Sequence, residues 1–110
     1  MNNLTSREKK LNLLGLAYKA GKITTGEDLV IKSMQQNRAK LVFVASDASS
    51  STIDKFDKKC FFYKVQCIFE FDTDELSKAI GKPMRKIIAL TDKGFCDAFK
   101  KIKEVNENES

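Results

Sequence analysis

The 110-residue chain has no histidine, no tryptophan and a single proline. Without histidine it lacks the commonest general base and the commonest imidazole metal ligand. Its three cysteines, Cys60, Cys67 and Cys96, are an odd number with no CxxC spacing. A zinc site would therefore need acidic or unusual ligands, and buried reduced thiols are the plain reading. No apolar run approaches the ~20 residues that cross a bilayer. The opening MNNLTSREKK has no apolar core of a secretory signal, so a cytoplasmic protein with no membrane partner is expected. There is no P-loop, no paired nucleophile and base, no repeat, no low-complexity tract and no linker. These absences argue against an enzyme: no catalytic residue, no metal and no cofactor is expected. Redox chemistry would need one of the thiols exposed with a depressed pKa.

What is present is an ordinary globular mixture, 42% hydrophobic and 32% charged, of a length that suits one domain. The formal net charge is +5. Residues 1–40 carry eight Lys/Arg against three Asp/Glu, and residues 41–110 carry twelve of each. The excess positive charge thus lies entirely in the first 40 residues. That is the footprint of a polyanion partner, or of basic, solvated helix faces.

Local signals mark alternating helices and strands. Thr5 and Glu8 make a capping box for a helix over Ser6–Ala20, with Leu11, Leu13, Leu14, Leu16, Ala17 and Tyr18 on a broad apolar face and Gly21 just past its end. A short β-prone piece, Ile23–Thr25, leads into a helix over Gly26–Gln36. Leu41–Ala45 is an unbroken apolar strand of the kind covered on both faces. A helix over Ser50–Tyr63 places Ile53, Phe56 and Cys60 along one side, and Val65–Phe69 is a further strand. Asp72 and Glu75 form a second capping box, opening a helix that ends at Gly81, and Pro83 keeps the following loop short. Ile87–Leu90 is another apolar strand. A last helix from about Lys93 to Lys103 buries Phe95, Phe99 and Ile102. The alternation predicts an α/β fold, a three-layer α/β/α sandwich around a small mixed four-stranded sheet. One domain is expected over residues 1–104, with a polar, frayed tail over 105–110.

In such sheets ligands gather at loops joining strand ends to helices, and three segments can meet at one end. In Thr25–Lys32, Thr25 is a plausible N-cap with Asp28 at the third helical position, and Gly26 leaves the backbone open to close approach. A helix start beside Lys32 is a place where N–H groups and a cation can meet a phosphate, with Lys22 and Arg38 as further cations nearby. Glu27 and Asp28 oppose an anion there. The plainer reading is that Asp28 completes the cap, Lys32 pairs with it, and Glu27 offsets the helix dipole. The second segment is Ser46–Thr52. Ser46, Asp47 and Ser49 offer short polar groups to a ribose or base edge, or simply cap the next helix. The third is Gly81–Arg85, where Lys82 and Arg85 bracket Pro83-Met84. An exposed apolar tip there can stack on an unpaired base between two phosphate-holding cations; a helix-ending turn with a core methionine is the alternative.

The run LLGLAYKAGKITTGEDLVIKSMQQNRAKLVFVASDASSST, together with ELSKAIGKPMRKIIALTDKGF, resembles the kink-turn RNA-binding ribosomal-protein superfamily. Its members include archaeal and eukaryotic large-subunit proteins and small-nucleolar-ribonucleoprotein core proteins, and the likeness is strongest to its short bacterial YlxQ-type branch. It spans about Leu13 to Lys101. The resemblance implies the same sandwich and binding of kinked RNA, a bulge flanked by sheared G·A pairs. In the family motif a glycine is followed two positions on by an amide or polar residue, then by a glutamate, with a lysine six positions after the glycine. Gly26 and Lys32 match. Asp28 stands where asparagine is frequent, and Leu29 where strong binders have glutamate or glutamine. Leucine cannot hydrogen-bond a guanine edge, and Asp28 lacks the amide donor of asparagine. A lost base-edge contact costs about 1–3 kcal/mol of discrimination, so weaker binding or a different RNA is implied. Lys82-Pro83-Met84-Arg85 corresponds to the family's apolar loop, and Ser46-Asp47-Ala48-Ser49 to the loop beside the extruded nucleotide.

The expected function is therefore non-catalytic binding of structured RNA, a kink-turn or ribosomal RNA, by a monomer associated with the ribosome or translation. Gly26, Glu27 and Asp28 are expected at the bulge, Lys22, Lys32 and Arg38 on phosphates, Ser46, Asp47 and Ser49 beside the extruded base, and Pro83 and Met84 in stacking, with Lys82 and Arg85 on the backbone. A protein-interaction module on the same fold is the alternative, favoured by the acidic helix start and Leu29.

Overall fold

The computed structural model describes residues 4–103. They form five helices and four strands: α1 (Ser6–Lys19), β1 (Ile23–Thr25), α2 (Glu27–Gln35), β2 (Leu41–Val44), α3 (Ser50–Tyr63), β3 (Gln66–Ile68), α4 (Thr73–Ile80), β4 (Ile87–Leu90) and α5 (Lys93–Lys101). The tail expected over 105–110 lies outside the described residues.

The helix starts are chemically specified. Thr5 accepts a hydrogen bond from the Glu8 amide while the Glu8 side chain accepts from the Thr5 amide, and Asp72 and Glu75 repeat this box at α4. At the far end of α1, Gly21 takes φ 74°, and Lys22 N donates to Ala17 O at 2.9 Å, closing the last turn. The helix expected to reach Lys103 stops at Lys101, and Ile102 caps it in extended backbone.

The sheet is open and mixed, in the order β1-β4-β2-β3. β4 runs antiparallel to both β1 and β2, whereas β2 and β3 are parallel. β2 and β4 occupy the centre and are buried along their whole length, which is why their sequences, LVFV and IIAL, carry no polar residue. β3 is an edge strand with Gln66 exposed. α1 packs on α4 and α5, and α2 on α3. The two groups cover opposite faces and complete the sandwich. Phe43 anchors the core, its ring meeting Phe99 edge-on at 5.0 Å. α1 and α4 approach so closely that a Cβ on Gly15 would stand 2.7 Å from the Ala79 carbonyl oxygen.

Candidate nucleic-acid interface

The register brings three connections to one end of the sheet. Gly26 N donates to Ile87 O at 2.9 Å, Ala45 N to Lys86 O at 2.8 Å, and Ser46 N to Phe71 O at 2.9 Å. The start of α2, the loop after β2 and the loop before β4 therefore share this end, and the start of α4 adjoins them.

The start of α2 differs from the expected cap. Thr25 is not the N-cap, because it is held in the sheet opposite Ile88. Gly26 takes that position at φ 96°, ψ 150°, a conformation open mainly to glycine, and no side chain caps the helix. Asp28 is consequently the second helical residue, not the third. The amides of Glu27, Asp28 and Leu29 precede the first intrahelical donor, Val30 N, which reaches Gly26 O at 2.9 Å. Asp28, Leu29 and Lys32 share an exposed side at helical spacing. Among the described residues no ion pair joins Asp28 to Lys32. Glu27 is instead bridged by Lys55 of α3 at 2.6 Å.

Asp47 is drawn toward α4. Its Oδ1 accepts from Thr73 N at 2.9 Å and Thr73 Oγ1 at 2.6 Å. These two donors, helped by the nearby Lys86 cation, hold its carboxyl below the usual range. Asp47 thus fixes one wall of a pocket of about 790 Å³, lined also by Thr73, Ser77, Lys82, Pro83, Met84 and Lys86. Ser49 is occupied locally: it caps α3 by accepting from Thr52 N at 3.2 Å. Ser46 is exposed on the loop between them.

In the loop before β4, Lys82 N donates to Ser77 O at 3.0 Å and Arg85 N to Ser77 Oγ at 2.8 Å. The loop turns at Met84, which takes φ 52° and is 72% exposed. Met84 is therefore not a core residue. Lys82 and Pro83 are exposed beside it. Arg85 is half-buried and its Nε is enclosed without a partner, so it is less available to solvent than Lys82.

Two expected site residues lie elsewhere. Lys22 precedes β1 and its carbonyl accepts from Thr91 N at 3.0 Å. Arg38 follows α2, and two residues later Lys40 N donates to Leu90 O at 2.7 Å. Both sit at the end of the sheet opposite Gly26. Nearness in sequence misleads here: the residue before a strand and the residue after the returning helix share the end away from the turn that joins them. Conversely, Lys86, Thr73 and Ser77 join the site without having been singled out. Lys86 was within reach of the GKPMR motif, standing one residue beyond it, whereas nothing local marks Thr73 or Ser77.

Comparison with known proteins adds a decisive observation. The sequence profile of the ribosomal protein L7Ae/L30e/S12e/Gadd45 family matches residues 8–99. The chain belongs to that family. It is 45% identical over 105 residues to the RNA-binding protein YlxQ of Enterococcus faecium, covering 96% of this chain and 98% of the relative. A solved Bacillus halodurans structure superposes with TM-score 0.81 at 36% identity, over 86% of this chain and 95% of that one. The Giardia lamblia 15.5kD RNA binding protein shares the fold, with TM-score 0.74 at 18% identity over 91% of this chain and 87% of that one. Of the positions to which the resemblance assigned RNA contact, Gly26, the loop at 46–49 and the loop at 82–85 lie at the Gly26 end, and Lys32 stands in the last turn of α2.

Cys60 and Cys96 are buried; the hydrogen bond between Cys60 and Cys67 lowers the Cys60 thiol and, with burial, pushes the Cys67 thiol up. No helix among the described residues is long and apolar enough to cross a membrane.

Proposed function

We propose that this chain is a non-catalytic, cytoplasmic RNA-binding protein that grips kinked RNA at the Gly26 end of its sheet and acts as a monomer with ribosomal or other translation-linked RNA. The observation that carries the reading is the uncapped start of α2. Gly26 at φ 96° leaves backbone amides without a side-chain partner at the same end as exposed Met84, Lys82 and Lys86. Amide donors and cations hold phosphate, and an exposed apolar tip takes an unpaired base. The ion pair of Glu27 with Lys55 offsets one of the two acidic charges that oppose an anion there.

The test compares a kink-turn RNA with a plain duplex of equal length across a salt series. The proposal expects tighter, salt-sensitive binding of the kinked RNA, weakened by Lys32→Ala with a log–log salt slope reduced by about 0.9 for a lost duplex phosphate contact. Equal affinity for both RNAs contradicts it.

A second reading rests on Leu29, which is 58% exposed where the resemblance expects a base-reading glutamate or glutamine. An exposed leucine on an acidic helix start suits a protein partner. Under that reading the protein retains no RNA on purification and captures a protein partner after nuclease treatment.

A further inference from the structure

The positive charge concentrated in the first 40 residues does not gather at the Gly26 end. Arg7 is committed to Glu75 at 2.6 Å and Lys10 to Glu70 at 2.9 Å. Lys22, Arg38 and Lys40 stand at the opposite end of the sheet. The register shows their alignment: Ile23 pairs with Leu90, Leu90 with Leu41, and Leu41 with Gln66. The next residues outward, Lys22, Thr91, Lys40 and Val65, therefore form one row across all four strands, and Lys64 precedes Val65. Lys22, Arg38, Lys40 and Lys64 are all exposed.

α3 ends at this same edge and presents the two most exposed large apolar side chains among the described residues, Phe61 at 87% and Phe62 at 75%. The helix is anchored beneath them. Cys60 Sγ lies 4.0 Å from Met34 Sδ of α2, Tyr63 packs edge-on against Phe62 at 4.9 Å, and Lys64 turns the chain at φ 59°. The rings are thus carried by a packed helix end rather than by a loop. Their surroundings are polar: Gln36, Asn37, Arg38, Lys40, Lys64 and Gln66 are exposed at the same end. The other exposed large apolar residues, Leu16, Leu29 and Met84, belong to other elements. A protein-binding patch has an apolar, charge-depleted centre. Two exposed aromatic rings among cations and amides instead match the way unpaired nucleic acid is held, with bases on rings and phosphates on Lys and Arg. Among the described residues, two acids stand against these cations. Asp92 is occupied as the cap of α5, accepting from Phe95 N at 2.9 Å, and Asp57 lies one turn before Phe61.

We infer that this opposite end is a second RNA-binding surface, one for single-stranded RNA, with Phe61 and Phe62 stacking unpaired bases and Lys22, Arg38, Lys40 and Lys64 holding phosphates. α3, 14 residues long, spans ~20 Å and separates it from the Gly26 end. One protein therefore engages two different RNA segments, a folded element at one end and an unpaired strand at the other. The inference does not depend on what the Gly26 end binds.

The experiment uses the full chain and an unstructured, fluorescently labelled RNA 12-mer, read by anisotropy. Phe61→Ser with Phe62→Ser weakens binding by at least about tenfold. Lys22→Gln, Arg38→Gln and Lys40→Gln together lower the log–log salt slope by about 2, at ~0.7 per phosphate for single strands. Both sets of far-end variants keep wild-type affinity for kink-turn RNA, so failure at either end is read separately. Amide chemical-shift mapping on the wild-type protein checks the location without any substitution: the 12-mer moves residues 22, 37–41 and 61–66. Wild-type affinity in both far-end variants, or shifts confined to Gly26, Asp47–Ser49 and Lys82–Lys86, overturns the inference and leaves this end to a protein partner.

Discussion

Lys55 Nζ lies 2.6 Å from Glu27 Oε1, tying the second turn of α3 to the first turn of α2 across 28 residues of sequence. Both side chains are well exposed, so the pair adds little to stability, on the order of 0–1 kcal/mol. Its consequence is electrostatic, because it offsets a carboxylate at a helix start proposed to meet phosphate. Lys55→Ala should leave the melting temperature nearly unchanged and weaken kink-turn RNA binding by several-fold, about 1 kcal/mol. Adding Glu27→Gln to that variant should restore affinity. Titrations of the two variants against one RNA at fixed salt check this.

Two glycines should fail for different reasons. Gly26→Ala forces a side chain into φ 96°, although nothing lies within 4 Å of the new Cβ. The cost is conformational, about 1–3 kcal/mol, and RNA affinity should fall as well. Gly15→Ala places its Cβ 2.7 Å from the Ala79 carbonyl oxygen and must push α1 from α4. Overpacking of this kind costs about 1–3 kcal/mol, with RNA affinity retained in the folded fraction. Urea unfolding paired with RNA titration separates the two.

Arg7 grips Glu75 with Nε and Nη2, both at 2.6 Å, and this hydrogen-bonded pairing holds the Glu75 carboxyl below its ordinary value of 4.5. Asp47, bonded by Thr73, is lowered in the same direction. Each carboxylate is more acidic in the fold than in the unfolded chain, so the unfolded chain takes up protons first as pH falls. Their contribution is complete above the ordinary carboxylate range and is lost as pH drops through it toward the lowered values. Glu75→Gln keeps an acceptor for the α4 capping box but loses the charge pairing, so it should flatten the acid limb of a stability-against-pH curve.

Met84 adopts φ 52°, a left-handed conformation unfavourable for a side chain, at the exposed tip of its loop. Met84→Gly should relieve about 1 kcal/mol of that strain while removing the apolar surface offered to an unpaired base. The expected result is a more stable protein with weaker RNA binding, seen in paired melting and titration data.

Leu29 offers a gain-of-function check. Leu29→Gln supplies a donor and an acceptor on the exposed side of α2. Under RNA recognition at this end it should sharpen discrimination between kink-turn RNA and duplex by about 1–3 kcal/mol. Unchanged discrimination would favour the protein-partner reading of Leu29.

Most of the fold was legible because its signals are local. The two capping boxes, the glycine ends of α1 and α4, and the apolar runs of β2 and β4 each fix an element within a few residues. The cap of α2 was misread for a physical reason. Thr25 satisfies the local rule for a cap, but its pairing with Ile88 holds it in the sheet and passes the turn to Gly26. The site was less legible, since proximity in sequence stood in for topology. Lys22 and Arg38 flank the Gly26 segment in the chain yet lie at the other end of the molecule. The Glu27–Lys55 and Asp47–Thr73 contacts join residues 28 and 26 positions apart, and no periodicity announces such pairs.

The most direct test of the central claim is the affinity of the wild-type chain for a kink-turn RNA against a matched plain duplex, measured from low to physiological salt. Tighter binding of the kinked RNA at every salt concentration, with loss of affinity in Lys32→Ala, is the predicted result. Equal affinities that fall together with salt would contradict recognition of kinked RNA at the Gly26 end.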